Sequence, residues 1–581
     1  MIDYSQYEDG NAVNWYESDY TMKRYLRRYL APFQEWGEKN LLRMGAYAAG
    51  PMDTRARHTD RGGKPRLIRY DRMGEEVNEV WYNEGYLATV AEGFESGVVG
   101  WRYREDVPAK IPFFYTQLLH MLMSGAETGF TCPVTLTMSV AFVLEKFGSD
   151  EQKEKYLSPL VSMDRRILEQ GATFLTEVQG GSDVGATQTR AVRVGDHWLL
   201  TGQKWFASNC DAGVAITLAR VSDEPGTKGL GLFLLPRFLD NGKKNNITIR
   251  RLKDKLGVRA VASGELELNK AQAFLIGDPG KGFKYMAEAL NVSRMCTASG
   301  ALAISRRAFL EAAIRTSKRS AFGSVLADYP MVRQTLLDMA TDIEAGWALA
   351  ARMLLMMDRC HTYGEQTEER SALLRLLLAM SKYRLSENAV IHAKQALELF
   401  GGDGYIEEHV TPRLLRDAQV NTVWEGPSNI MALEILKILG KEAVRIGGGS
   451  AILDNLRKTL ETITQPELGA AVQCVRDQVE EVILDTQYLL GADPMVQNAH
   501  ARRLADKWID LASAVYLLEE ADYDKETTGS FRLAKIAGYY VDRTYCPDVY
   551  DIRSRVSPAI DLFDEAVRYK GEALEGQKAW E

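Results

Sequence analysis

The chain reads as an α+β protein: a helical N-terminal region, a central β domain, a C-terminal helical bundle and a further helical domain. Two observations predict this. Apolar residues recur at helical spacing, change to short β-rich runs near residue 171, and return to helical spacing after about 283. A glycine-rich step, RIGGGS at 445–450, then separates a last helical stretch from the bundle. With 581 residues, 46% of them hydrophobic and 26% charged, the chain has ordinary globular composition and enough length for several packed units.

Each region follows from its local pattern. In 1–170, YTMKRYLRRYLAPFQEWGEKNLLRMG has helical spacing, whereas GPMDTRARHTDRGGKPRLIRYDRMG is polar, glycine-rich and basic, which predicts a long surface loop at about 50–75. Helical spacing resumes in IPFFYTQLLHMLMSGAETG and LTMSVAFVLEKFGSD, with Ser149 or Asp150 placed to cap a following helix. Region 171–283 divides into AVRVGDHWLLTG, GVAITLARV, GLGLFLLPRF, NITIRRL and SGELELNKAQAFLIG, with an Asn241-Gly242 turn, and reads as all-β. Long helical patterns joined by short breaks make 284–440 a bundle, and 450–581 an additional helical domain.

Composition excludes several functions. The N-terminal MIDYSQYEDG lacks a basic-then-apolar secretory pattern, and the apolar runs Met353–Met357 and Leu373–Met380 are too short or broken by Arg375 to span a membrane. A cytoplasmic location is expected. Six scattered cysteines and seven histidines form no zinc-ligand spacing and no HExxH motif, so no metal is expected. The net charge of −8 falls within 441–581, where 17 Lys+Arg face 25 Asp+Glu, leaving the first 440 residues neutral. An acidic C-terminal region is a poor match to a nucleic-acid backbone, and the trio Arg502, Arg503 and Lys507 reads as a solvated helix face or a small local patch.

Three short stretches carry chemistry. In FLTEVQGGSDVGATQTRA (174–191), Thr176 precedes a Gly180-Gly181-Ser182 turn whose N–H groups could hold an anion such as pyrophosphate, or simply reverse the chain. In GQKWFASN (202–209), an aromatic and a hydroxyl on one strand can stack on a planar ring and donate to its edge, or be half-buried strand residues. In VNTVWEGPSNIMALEIL (420–436), Glu425 stands between Val423-Trp424 and a Gly-Pro step that opens a helix. It is either a reactive carboxylate or a helix-entry residue facing the macrodipole.

Taken with LKDKLGVRAVASGELEL, RSAFG (319–323), ELFGGDGYIEE and RDAQVNTVWEGPSN, these stretches resemble the acyl-CoA dehydrogenase family over about residues 80–440. The segment YDRMGEEVNEVWYNEGY and the length are most similar to its longer, AidB-like branch. The resemblance implies a helical domain, a barrel-like β domain and a four-helix bundle, with FAD as cofactor and an acyl-CoA as substrate. It implies that Thr176, Gly181, Ser182, Phe206 and Ser208 contact the flavin and pyrophosphate. Arg319, Phe322, Gly401 and Gly402 would meet the FAD of a neighbouring subunit, so a homodimer or homotetramer is implied. Ser182, Arg294 and Gly426 fall at substrate-side positions, and Arg294 could equally form a plain salt bridge. Phe206 and Ser208 stand where the family often has Trp and Thr. Glu398 and Pro330 stand near frequent glutamines, and Pro427-Ser428-Asn429 replaces Thr-Ser-Gln, leaving Asn429 an amide that can contact FAD.

The resemblance places Glu425 at the catalytic-base position. Desaturating an acyl thioester needs a carboxylate to take the α proton on one face while hydride leaves the β carbon on the other, toward flavin N5. Apolar neighbours disfavour the Glu425 anion, whereas the following helix N-terminus favours it. Ser293, beside Arg294, cannot serve as an alternative base. Electrons would pass to an electron-transfer flavoprotein, or to O2 in an oxidase. A reading from another class is an AidB-like protective flavoprotein that binds nucleic acid; the acidic C-terminal region opposes it.

Overall fold

The computed structural model describes residues 7–107, 109–445, 451–550, 553 and 557–570. The linker glycines at 447–449 lie outside the described residues. The chain divides into two compact units, one of 1–49, 112–125 and 297–581, the other of 50–111 and 126–296. In this division the N-terminal 170 residues are shared between the units, and the last helices fall in the same unit as the bundle.

In the second unit, the stretch expected as a long loop at about 50–75 is ordered structure. A helix, Asp53–Arg61, buries Ala56 and Thr59, and strands β1 (Arg66–Tyr70) and β2 (Glu76–Trp81) pair antiparallel. The hairpin is tied to the β domain by Asn78, whose side chain donates to the Ile249 carbonyl at 2.9 Å and accepts from the Ile249 N–H at 2.8 Å. Polar composition hid this because the stabilising contact lies 171 residues away in sequence.

The β domain comprises β3 (Gly171–Phe174), β4 (Arg190–Val194), β5 (His197–Ser208), β6 (Val214–Arg220), β7 (Leu230–Pro236), β8 (Ile247–Leu252) and β9 (Ser263–Ile276). Its order is β3-β6-β4-β5-β9-β7, with β8 on β9, and β6 also pairs with β7. That pairing closes a ring of strands into a barrel. Strand β6 is apolar on both faces: Ala215 and Ala219 join a core with Phe174, Leu200 and Leu266, while Val214, Ile216 and Leu218 join another with Leu232, Leu234, Val140 and Leu144. Burial on both sides explains why GVAITLARV reads as a continuous apolar run.

The second core includes residues of helix Thr128–Phe147, which is long and apolar enough to cross a membrane by length and composition. The sequence reading did not single it out. Within the fold, its residues from Thr128 to Leu144 are buried.

In the first unit, Pro330–His361, Glu368–Leu399, Thr411–Asn421 and Ser428–Arg445 form the bundle, and Gly469–Gly491, Pro494–Thr528 and Arg532–Tyr545 pack with it. Buried charges join the late helices to the rest. Glu520 accepts from Arg24 and Tyr29 at 2.7 and 2.6 Å, and Glu344 from Arg532 and Thr21 at 2.9 and 2.8 Å. A buried charge left without its partner costs about 3–5 kcal/mol, so these helices do not separate cheaply from the bundle.

Candidate active site

After β3 the chain makes a tight reversal in which Glu177 and Gly180 exchange backbone hydrogen bonds of 3.3 and 3.1 Å. A β-carbon on Gly181 would lie 2.6 Å from Thr176 Oγ1, so glycine lets the turn close against that hydroxyl. Glu177, 4% exposed, anchors the reversal. Its carboxylate accepts from Lys204 Nζ at 2.8 Å, Thr189 Oγ1 at 2.6 Å and the Gln188 N–H at 2.7 Å. Burial alone would push the Glu177 carboxyl up, but Lys204, Thr189 and Gln188 together outweigh it and hold it at about 2. Burial draws the Lys204 ammonium below the usual lysine range against the pull of Glu177.

Lys204 lies on β5, and the ladder to β9 shifts register between Lys204 and Ala207. Such a bulge re-aims side chains. There the Trp205 N–H donates to the Thr176 carbonyl at 2.9 Å, and Phe206 stands 56% exposed. Lys253 Nζ lies 3.7 Å from the Trp205 ring centroid and 4.5 Å from that of Phe206, within cation–π range. Glu265 steadies it at 2.8 Å. Two residues beyond Phe206, the Ser208 hydroxyl is 3.0 Å from that of Ser263, which Lys255 Nζ reaches at 3.1 Å. A cavity of about 120 Å³ beside Ser263 is lined by Lys64, Lys253, Lys255 and Arg259.

In the first unit, Glu425 occupies the turn between helices Thr411–Asn421 and Ser428–Arg445. It is half-buried with φ +58°, and Gly426 follows at φ +105°. For a residue with a β-carbon the left-handed conformation costs about 1–2 kcal/mol, and it persists where the surroundings enforce it. Several contacts do so here. The Trp424 N–H donates to the Val420 carbonyl at 3.0 Å and its indole N–H to Asn421 Oδ1 at 3.1 Å. Fully buried Lys382 donates to the Gly426 carbonyl, and Ser428 Oγ donates to Glu387 at 2.5 Å. A β-carbon on Gly426 would lie 2.6 Å from the Met431 methyl. The helix after the turn starts under Pro427, whose carbonyl accepts from the Met431 N–H at 3.0 Å.

The other predicted residues fall as follows. Gly401, φ +66°, and Gly402 lie in the Gly401–Tyr405 turn, which the buried Arg315 anchors through Asp403. Arg319 directly follows the helix Gly282–Lys318, and Phe322 is 98% exposed at the tip of the Ser320–Val325 hairpin with φ +53°. Arg294 is half-buried on that helix beside buried Ser293, Ser182 is exposed on the turn after Gly181, and Asn429 is exposed. Sequence reasoning missed Glu177, Lys204, Lys253 and Lys382. The direct adjacency of Glu177 to Thr176 was the one available signal. Arg502 and Lys507 face carboxylates, Arg502 pairing with Glu387 at 3.7 Å and Lys507 with Asp485. Among the described residues no group of acidic, histidine or cysteine side chains could hold a metal ion.

These features belong to a recognisable class. Family models match the chain as the acyl-CoA dehydrogenase middle domain over 172–271, the acyl-CoA dehydrogenase C-terminal domain over 280–440, and the adaptive response protein AidB N-terminal domain over 5–164. The chain belongs to the acyl-CoA dehydrogenase family, in its longer AidB-like branch. It is 30% identical to AidB of Escherichia coli (strain K12), with 79% of this chain and 86% of AidB aligned. It is also 30% identical to acyl-CoA dehydrogenase family member 11 of Caenorhabditis elegans, over 87% and 84% of the two chains. The crystal structure of Caenorhabditis elegans ACDH-11 in complex with C11-CoA superposes with a TM-score of 0.83 at 27% identity, covering 92% of this chain and 91% of that one. Membership makes the chain an FAD-dependent oxidoreductase. The residues present fit that cofactor: a glycine turn closed on Thr176, an exposed aromatic face at Phe206 and a hydroxyl at Ser208 supply an anion cradle, a stacking surface and an edge donor.

Proposed function

We propose that the protein desaturates an acyl-CoA thioester between its α and β carbons, with Glu425 as the base that removes the α proton. The observation that carries this reading is the left-handed turn at Glu425, a carboxylate on strained backbone inside the matched C-terminal domain. Strain at a residue with the required chemistry is what a positioned base would show. In this reading the Glu425 N–H polarises the thioester carbonyl as the α carbon loses its proton, stabilising enolate-like charge. Lys382 steadies the turn that follows Glu425 by holding the carbonyl of the Gly426–Pro427 peptide. Gly426, Ser182 and Arg294 are assigned to the substrate, Arg294 as a supporting cation.

Thr176, Gly181 and Ser182 would hold FAD through the glycine turn, Phe206 would pack against its ring and Ser208 would donate to its edge. FAD, when bound, supplies the hydride acceptor. The exposed Phe322 on its strained turn, with Arg319, Gly401 and Gly402, suits contact with a second copy of the chain, supporting a homodimer or homotetramer. Asn429 is a further FAD contact in this reading. An electron-transfer flavoprotein is the proposed electron acceptor and the cytoplasm the proposed location.

The test is turnover of a panel of short, branched, aromatic and long acyl-CoAs with an artificial electron acceptor, in wild type and Glu425→Gln. Activity on at least one thioester, abolished by the substitution in protein that still retains FAD, is expected. Full activity of Glu425→Gln on every accepted thioester would overturn the assignment of the base.

A further inference from the structure

Two cysteines far apart in sequence meet in the first unit. Cys474 lies on the helix Gly469–Gly491, and Cys546 follows the helix Arg532–Tyr545, its N–H donating to the Asp542 carbonyl at 2.8 Å. Their sulfurs are 3.7 Å apart across a separation of 72 residues. Both are partly exposed, whereas Cys132, Cys210, Cys296 and Cys360 are buried. We propose that Cys474 and Cys546 form a dithiol modification site that closes to a disulfide by exchange with a low-molecular-weight disulfide such as glutathione disulfide.

The geometry favours the pair over any single thiol. A disulfide needs sulfurs about 2.05 Å apart, so less than about 2 Å of approach completes the bond. Cys546 lies just past the end of its helix, where backbone and side-chain torsions can accommodate that movement. The exchange balances in two steps. One thiol loses a proton and attacks a glutathione sulfur, expelling one glutathione thiolate and leaving a mixed disulfide. The second thiol then attacks the protein sulfur of that adduct and expels the other glutathione thiolate. The two cysteines are oxidised and one glutathione disulfide is reduced to two glutathione thiols.

Burial and the neighbouring Cys546 thiol push Cys474 up to about 11. Its thiolate is scarce at neutral pH, so the step it performs quickens as pH rises toward that value. The same destabilised thiolate favours the closed disulfide once formed. The bond would join the Gly469–Gly491 helix covalently to the helix whose Tyr539 and Arg543 donate to Asp338 of the bundle at 2.7 and 3.0 Å.

The test uses the full-length protein with FAD, incubated with excess glutathione disulfide and digested without reduction. A peptide joining Cys474 to Cys546, lighter by two hydrogens and reversed by dithiothreitol, is expected, together with a higher thermal midpoint than the reduced protein. In Cys474→Ser or Cys546→Ser the remaining thiol should hold a persistent glutathione adduct, and the midpoint gain should vanish. Separate glutathione adducts on both cysteines of the wild type, or two unreacted thiols after prolonged incubation at alkaline pH, would overturn the proposal.

Discussion

Each unit holds its own candidate residues in place with a buried lysine, and the two lysines act on different partners. In the barrel, Lys204 pairs with the Glu177 carboxylate, and that pair fixes the Thr176 turn to β5. In the helical unit, Lys382 donates to the backbone carbonyl of Gly426, one residue beyond Glu425. A carboxylate titrates and a carbonyl does not. The proposed cofactor platform therefore depends on the protonation state of Glu177, whereas the Gly426 carbonyl that Lys382 holds carries no proton to lose.

The largest expected effect breaks the chemistry and spares both anchors. Glu425→Gln should lower turnover by about 10²–10⁴-fold, the usual worth of a positioned general base, with FAD content and thermal midpoint near wild type. Steady-state kinetics on the preferred thioester together with the flavin spectrum measure both.

Glu177→Gln, by contrast, should leave Lys204 without its counter-charge and cost about 3–5 kcal/mol, read by urea unfolding at neutral pH. The acid profile sharpens the comparison. Glu177 is depressed from 4.5 to about 2, so its contribution is complete above about pH 4.5 and is lost as pH falls toward 2. The difference between wild type and Glu177→Gln should shrink over that window. A difference that stays constant from pH 5 to 2 would mean that the ion pair does not anchor the barrel turn.

Lys382→Met removes the donor to the half-buried Gly426 carbonyl and should cost about 1.5–3 kcal/mol, the worth of a hydrogen bond from a charged donor. Turnover should fall too, because the Gly426–Pro427 peptide beside the proposed base loses its support. The smallest effect is Glu425→Gly, which relieves the left-handed strain and should raise stability by up to about 1 kcal/mol in an inactive protein, measured from the urea midpoint. A loss of stability would show that side-chain contacts of Glu425 outweigh the strain.

Much of the candidate site was legible because its signals are local. The Gly180-Gly181-Ser182 turn, the aromatic and hydroxyl of β5 and the Glu-Gly-Pro step each lie within a few residues, and their order along the chain carried the family resemblance. The anchors were not legible. Lys204 meets Glu177 across 27 residues and Lys382 meets Gly426 across 44, and an isolated lysine in a strand or helix pattern does not reveal its partner. The hairpin β1–β2 was hidden for the same reason, since a polar, glycine-rich segment becomes ordered only where Asn78 finds Ile249.

Periodicity and turn chemistry by themselves determined the helix–strand–helix order, the placement of the β region and the few candidate positions for chemistry. Both depend on neighbours in the chain. Tertiary structure alone decided that the late helices share a unit with the bundle, that the β1–β2 hairpin is held on the β domain, and that Glu425 sits on left-handed backbone. Those outcomes depend on buried charges and hydrogen bonds between residues distant in sequence, whose energies exist only once the partners are brought together out of water.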